Sequence, residues 1–377
     1  MTIGVLKETF PETRVSLMPE HVVLLKKWNI DIIVESGSGN TAYNADEAYV
    51  SAGASIKSRQ EVLSNSDVIL SINLLASEEY QNIHSKVILG FYQPLYNYKA
   101  FQGLAEKGIT AFSIDMIPRT TRAQPMDVLS SQANIAGYKA VLLAANEFPR
   151  YFPMLMTAAG SIPPAKILIL GAGVAGLQAI ATARRLGAVV EVFDTRPAVK
   201  EEVLSLGAKF VEVEGAADVS KAGGYAVEQT EEFKQKQKAR IAESAAKADI
   251  IITTAQIPGK KAPILITKEM IDRMKPGSLI IDMAAATGGN TDLTENDKTV
   301  EYNHVKIIGN SALAATLPMD ASKMYGKNIV NFLRLIIDNE GKLNLNFEDD
   351  IVKGACICTN GNISNDRVTA MLSNVLA

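Results

Sequence analysis

Lys166-Ile-Leu-Ile-Leu-Gly-Ala-Gly-Val-Ala-Gly176 is the stretch on which the fold turns. An apolar run of strand length, Lys166–Leu170, enters a G-x-G-x-x-G loop, and a helix-patterned segment follows to about Leu186. A second strand, Val189–Phe193, ends at Asp194, 18 residues past the last glycine. Gly171 permits the tight turn, Gly173 lets a pyrophosphate approach the backbone, and Gly176 lets helix and strand pack closely. The helix start offers unpaired N–H groups and a partial positive charge to phosphate oxygens. Asp194 stands where a carboxylate accepts hydrogen bonds from the adenosine ribose hydroxyls and repels a 2′-phosphate. NAD is therefore expected over NADP, although Arg196, two residues on, could offset that repulsion.

Working outward, strand-like runs recur at Lys209–Val213, Asp249–Thr254, Ser278–Met283 and Val305–Ile308. Before the glycine loop, Ile3–Leu6, Ile30–Val34, Asp67–Ile72, Lys86–Phe91 and Ile109–Ile114 alternate with helical pieces at Pro19–Trp28, Asp46–Ala52 and Tyr98–Lys107. Such alternation implies parallel sheets with helices on their faces. Helical spacing in Ile135, Tyr138, Val141, Leu142, Ala145 and Phe148, and again in Met324, Ile329, Phe332, Leu333 and Ile336, marks two linking helices. The expected class is α/β, with two Rossmann-like domains and the second inserted into the first. The first would comprise residues 1–133 plus 320–377, the second 134–319.

Composition narrows the function. The 377 residues carry 38 basic and 41 acidic side chains, so no basic excess points to nucleic acid. The only cysteines, Cys356 and Cys358, exclude a disulfide framework; they read as buried strand residues, and no zinc ligand set completes them. No signal-peptide pattern opens the chain, and the longest uncharged run, between Lys166 and Arg184, reads as strand, loop and helix start rather than a bilayer span. A cytoplasmic protein without bound metal is expected.

A dehydrogenase of hydroxy or amino acids needs a group to move the substrate proton. His21, His84 and His304 sit at a helix start, beside a Ser-Lys pair and in a polar loop, and none reads as that group. The most unusual stretch is Pro118-Arg-Thr-Thr-Arg-Ala-Gln-Pro-Met-Asp-Val-Leu-Ser-Ser-Gln132, expected at the inter-domain cleft. Arg119 and Arg122 offer cations to phosphate or carboxamide oxygens, and Gln124, Asp127, Ser130 and Ser131 offer further polar contacts. Equally, Asp127 or Ser130 could simply cap the next helix.

Arg122-Ala-Gln-Pro-Met-Asp-Val-Leu-Ser-Ser-Gln-Ala-Asn-Ile-Ala-Gly-Tyr138 resembles the signature loop of the NAD(H)-binding component, domain I, of proton-translocating nicotinamide nucleotide transhydrogenase. Met156–Ala165, Gly176–Ala183, Ala222-Gly-Gly-Tyr225 and Thr253-Thr-Ala-Gln-Ile-Pro-Gly259 extend the likeness over essentially the whole chain. It implies a Re/Si-specific enzyme component passing a hydride directly from NADH to NADP⁺, with NADP(H) held on a partner component. A homodimer, peripheral on the inner membrane through a proton-channel component, is implied too.

The resemblance assigns Arg119, Gln124, Asp127 and Ser130 to the nicotinamide end, with Gln124 turned toward the second nucleotide. It assigns Gly171, Gly173, Val174, Ala175, Gly176, Asp194, Thr195, Arg196, Ala255 and Gln256 to NAD(H), and Tyr225 to a mobile lid spanning Ala222 to about Gln237. The run Glu231–Lys238 fits a solvated charged helix as well.

The related alanine dehydrogenases share the opening Lys7-Glu8 with Arg14-Val15. Their substrate Lys, catalytic His and catalytic Asp find no counterpart in Leu70–Asn73, Phe91–Leu95 and Asp282–Gly289. Two departures from the transhydrogenase pattern stand out: no acidic residue lies in Ala284–Thr287, and Pro125 interrupts the signature loop. The alternatives are a stand-alone amino-acid dehydrogenase and a noncatalytic NAD-binding module.

Overall fold

In the computed structural model, which describes residues 1–81, 83–213 and 230–376, the chain forms two compact units. Unit 1 comprises Met1–Gln132 and Ala315–Ala377, and unit 2 comprises Ala133–Ala314. In chain order the strands are β1 (Thr2–Val5), β2 (Asp31–Glu35), β3 (Ser55–Lys57), β4 (Val68–Leu70), β5 (Val87–Gly90) and β6 (Thr110–Ser113). A hairpin of β7 (Leu155–Thr157) and β8 (Gly160–Ile162) precedes the strands of the second large sheet. These are β9 (Lys166–Leu170), β10 (Val189–Phe193), β11 (Lys209–Phe210), β12 (Ile250–Thr253), β13 (Leu279–Asp282), β14 (Lys298–Tyr302) and β15 (Val305–Gly309). Strands β16 (Cys356–Thr359) and β17 (Asn362–Ile363) close the series.

The sheet of unit 1 has the order β17-β16-β6-β5-β4-β1-β2-β3, and that of unit 2 the order β11-β10-β9-β12-β13-β15-β14. Stripped of their antiparallel edges, both run 3-2-1-4-5-6 in parallel, the doubly wound arrangement of dinucleotide-binding folds. In each, the order reverses beside the first strand, β1 or β9. The α/β class and the mostly parallel sheets are as expected. The antiparallel additions were not: β16 and β17 extend the edge beyond β6, and β14 pairs with β15 through a turn at Asn303 and His304, both at positive φ.

Burial on both sheet faces explains why the parallel strands were readable. Along β9, Ile167 and Ile169 enter one core cluster while Leu168 and Leu170 enter the cluster on the opposite face. Each fully buried aliphatic side chain contributes roughly 1.5–3 kcal/mol relative to exposure. In unit 1 the helix Pro318–Ile336 returns Tyr325, Ile329, Phe332 and Leu333 to the main core, and Phe332 meets Phe112 of β6 with ring centroids 5.4 Å apart. Cys356 and Cys358 are buried in β16, as the sequence suggested. Among the described residues no helix is long and apolar enough to cross a membrane.

Candidate functional site

The glycine loop of unit 2 leaves the end of β9, beside the reversal of strand order. Gly171 adopts φ +107°, and its N–H donates to Phe193 O over 2.8 Å. A Cβ on Gly171 would stand 2.4 Å from Thr254 Oγ1, and one on Gly176 would stand 1.9 Å from Gly171 O. Both positions therefore exclude any larger residue. Gly173 differs: nothing lies within 4 Å of the place its Cβ would take, so the backbone there faces open space. The helix Val174–Arg185 begins immediately after it without a side-chain cap. Its first N–H groups, those of Val174 and Ala175 included, lack the usual side-chain acceptor. Steric permission at two glycines, open space at the third and an uncapped helix start fit a pyrophosphate.

Gly137 was not singled out as a site residue, yet it shapes this loop. It lies on the helix Val128–Glu147, where an added Cβ would be 2.1 Å from Ala175 O. The missing side chain lets that helix touch the backbone of the loop helix.

Asp194 is saturated. Its Oδ2 accepts from Ala172 N at 2.7 Å and Arg196 Nη2 at 2.8 Å, and its Oδ1 accepts from Arg196 N at 2.8 Å and Arg196 Nε at 2.9 Å. The carboxylate ties the glycine loop to the end of β10 and is only 6% exposed. Its hydrogen bond and charge push the Arg196 guanidinium above its ordinary value. Thr195 between them is half-buried.

Beyond β12, Ala255 N donates to Asn290 Oδ1, and Asn290 Nδ2 donates to Ala255 O at 2.9 Å and Pro263 O at 2.8 Å. Gln256 Nε2 donates to Met283 O at 3.2 Å. Asn290 is held in turn by Asp282, which is fully buried and accepts from Ala284 N, Asn290 N and Thr294 Oγ1. No local pattern pointed to this buried bracket, because its members lie up to 35 residues from the segment they hold.

In unit 1, a 3₁₀ turn, Thr121–Met126, carries the signature loop into the helix Val128–Glu147. Arg119 and Gln124 are exposed. Asp127 caps the helix: its Oδ1 accepts from Ser130 N at 2.9 Å and its Oδ2 from Ser130 Oγ at 2.6 Å. The capping alternative thus describes a real contact. Pro125 O accepts from Asn328 Nδ2 at 2.8 Å and Asn331 Nδ2 at 3.1 Å, and Ser131 Oγ donates to Asn328 Oδ1 at 2.7 Å. Pro125 is thereby anchored by its carbonyl. Arg122, expected to offer a cation to phosphate or carboxamide oxygens, already has protein partners. It is paired with Asp349 at 2.6 and 2.8 Å and with Asp350, fastening the loop to the helix Asp350–Ala355.

Tyr225 and the lid region Ala222–Gln229 lie outside the described residues. The remainder of that expected lid, from Glu231, is the start of a helix, Glu231–Lys247, with Glu231–Lys234 and Glu232–Lys236 ion pairs on its surface. The solvated-helix alternative holds for this segment.

Comparison with known proteins bears on this geometry. Residues 4–136 match the family model described as "Alanine dehydrogenase/PNT, N-terminal domain", and residues 140–366 match "Alanine dehydrogenase/PNT, C-terminal domain". The chain belongs to the alanine dehydrogenase/PNT family. Over 380 residues it is 45% identical to a Rhodospirillum rubrum protein named as the first portion of NAD(P) transhydrogenase subunit alpha, covering 98% of this chain and 99% of that one. The crystal structure of transhydrogenase from Sinorhizobium meliloti superposes with a TM-score of 0.88 at 44% identity, covering 96% of this chain and all of that one. An alanine dehydrogenase of Bacillus subtilis is more distant, at 26% identity over 98% of this chain and 94% of its own.

Three further segments flank these sites. At the end of β4, Ile72 N, Asn73 N and Asn73 Nδ2 all donate to Glu8, whose carboxyl burial pushes above its ordinary value despite these bonds. Gln93 sits at φ +48° after β5. Ala286 lies in a 3₁₀ turn with its N–H donated to Ser311 Oγ at 2.8 Å.

Proposed function

We propose that this chain is the NAD(H)-binding component of a proton-translocating transhydrogenase. On this reading NADH bound here gives its hydride directly to NADP⁺ held on a partner component, and a membrane component couples the transfer to proton movement. The observation that carries the proposal is the 45% identity, end to end, with a protein named as the first portion of transhydrogenase subunit alpha. The glycine loop supports it independently, with its open Gly173 and uncapped helix start. A homodimer that docks on those partners, at the cytoplasmic face of the inner membrane, belongs to the same proposal.

The residues divide the work as follows. Gly171, Gly173, Val174, Ala175 and Gly176 hold the pyrophosphate through backbone N–H groups, while Asp194 and Thr195 meet the adenosine ribose, with Arg196 against Asp194 at the same place. Ala255, held by Asn290, and Gln256, held by Met283 O, border the nucleotide further along. Arg119, Gln124, Asp127 and Ser130 orient the nicotinamide end, with Gln124 turned toward the second nucleotide. No side chain is asked to take a substrate proton, because hydride transfer between two nicotinamides releases none. The protein's task is positioning and exclusion of water.

The test is transhydrogenation of an NADP⁺ analogue by NADH with purified NADP-binding component. Rate appearing only when both proteins are present supports the proposal. Silence there, together with NADH oxidation by this chain alone given pyruvate and ammonium, would replace it with an amino-acid dehydrogenase.

A further inference from the structure

We propose that Arg196 determines nucleotide choice at Asp194, by occupying the carboxylate sites that ribose hydroxyls require and by offsetting the charge that excludes a 2′-phosphate. The inference rests on the NAD-binding reading of unit 2.

An ionised carboxylate offers about four lone-pair sites. Here four N–H donors take them: Ala172 N and Arg196 Nη2 on Oδ2, and Arg196 N and Arg196 Nε on Oδ1. Two of the four are backbone groups, one on each oxygen, and these hold the carboxylate in place without help from the guanidinium. The other two are the forked donors of Arg196, again one on each oxygen. Removing the fork frees one acceptor site per oxygen, the pattern a vicinal 2′,3′-diol would satisfy. Ribose and guanidinium therefore compete for the same two sites.

The second consequence is electrostatic. A lone carboxylate beside the ribose repels a 2′-phosphate, but this one carries a guanidinium in bidentate contact, at a site where the pair is 6% and 18% exposed and solvent screening is reduced. When the fork swings off Asp194, Arg196 remains two residues away, within reach of a phosphate on the same ribose. Arg196 thus weakens NADH binding and weakens the exclusion of NADPH, in one side chain.

Calorimetric titration of the folded chain with NADH and with NADPH tests this, using wild type, Arg196→Leu and Arg196→Lys. Arg196→Leu keeps the backbone N–H and removes the fork. It should tighten NADH severalfold and weaken NADPH by about tenfold, the scale of one partly screened charge. Arg196→Lys keeps the charge without the fork, so NADH should tighten while NADPH holds near its wild-type value. Movement in opposite directions is the signature, because structural damage lowers both affinities together. Parallel losses in both variants, or an unchanged NADH-to-NADPH ratio, would overturn the role of Arg196 and leave the NAD reading standing. Wild-type protein that binds neither nucleotide would overturn the NAD reading and this inference with it.

Discussion

Ser130 folds back on Asp127, donating its amide to Oδ1 at 2.9 Å and its hydroxyl to Oδ2 at 2.6 Å. One carboxylate thereby starts a 20-residue helix and sits in the loop assigned to the nicotinamide. The two roles separate under mutation. Asp127→Ala should cost about 1 kcal/mol of stability as a lost helix cap. Asp127→Asn, a good cap, should leave the melting temperature nearly unchanged and still slow transhydrogenation. Full activity in Asp127→Asn would reduce Asp127 to a cap.

Gln124 is exposed on the 3₁₀ turn ahead of that cap. Gln124→Asn shortens the side chain by one methylene. It should slow hydride transfer far more than it weakens NADH binding, since a misplacement of about 1 Å can cost roughly a hundredfold in rate. Stopped-flow rates set beside calorimetric affinities decide the matter, and equal losses in both would remove the positioning role.

At Asp194, substitution by Asn leaves one acceptor oxygen and turns an NH₂ group against N–H donors. Asp194→Asn should weaken NADH by about 1–3 kcal/mol, the range for spoiling a charged hydrogen bond. Because Ala172 N is one of those donors, the glycine loop should loosen too. Unchanged affinity by calorimetry would take Asp194 out of the site.

Gly137→Ala is predicted to damage nucleotide binding from outside the loop. The new methyl would press on Ala175 O, so the loop helix must shift or the longer helix must move. NADH affinity should fall severalfold while far-ultraviolet circular dichroism stays native. Wild-type affinity in Gly137→Ala would show that the contact relaxes at no cost.

The pH dependence of stability should carry a mark of His21, which is 3% exposed at the third position of the helix Pro19–Lys26. Its Nδ1 accepts the Met18 N–H at 3.0 Å, so the folded protein needs that nitrogen unprotonated. Burial, ahead of the partly compensating Glu20, pushes its pKa below the ordinary value. The folded state therefore binds this proton less readily than the unfolded chain. The contribution is intact above about pH 6.5, the unfolded value, and is lost as pH falls toward the depressed one. His21→Gln keeps an acceptor at this position and does not titrate. Chemical denaturation between pH 5 and 8 should show a flatter profile for His21→Gln, and superimposable profiles would exclude His21 as the source.

What could be read ahead of the structure follows burial. Lys166–Leu170 and Val189–Phe193 were read with their observed bounds because both faces of those strands are covered, which leaves an unbroken apolar run. Strand β14, Lys-Thr-Val-Glu-Tyr, lies at the edge with three of its five residues exposed, and its polarity hid it. Strands β3 and β17 are too short to show a period. At the site, glycine spacing revealed the loop because steric limits act on sequence directly. The direction taken by the Arg196 fork, the pairing of Arg122 with Asp349 and the Asn290 bracket depend on rotamers and distant partners, which no local pattern encodes.

The division of unit 1 across both ends of the sequence governs how the protein is made. Its main core needs Tyr325, Ile329, Phe332 and Leu333, and its sheet needs β16, all from residues 315–377. A ribosome delivers Ala133–Ala314 as one uninterrupted stretch before any of these. Unit 2 can therefore complete itself during synthesis, while the first and larger segment of unit 1 waits with apolar strands uncovered. That waiting segment, not the one translated last, is where exposed apolar surface invites association before the chain is finished.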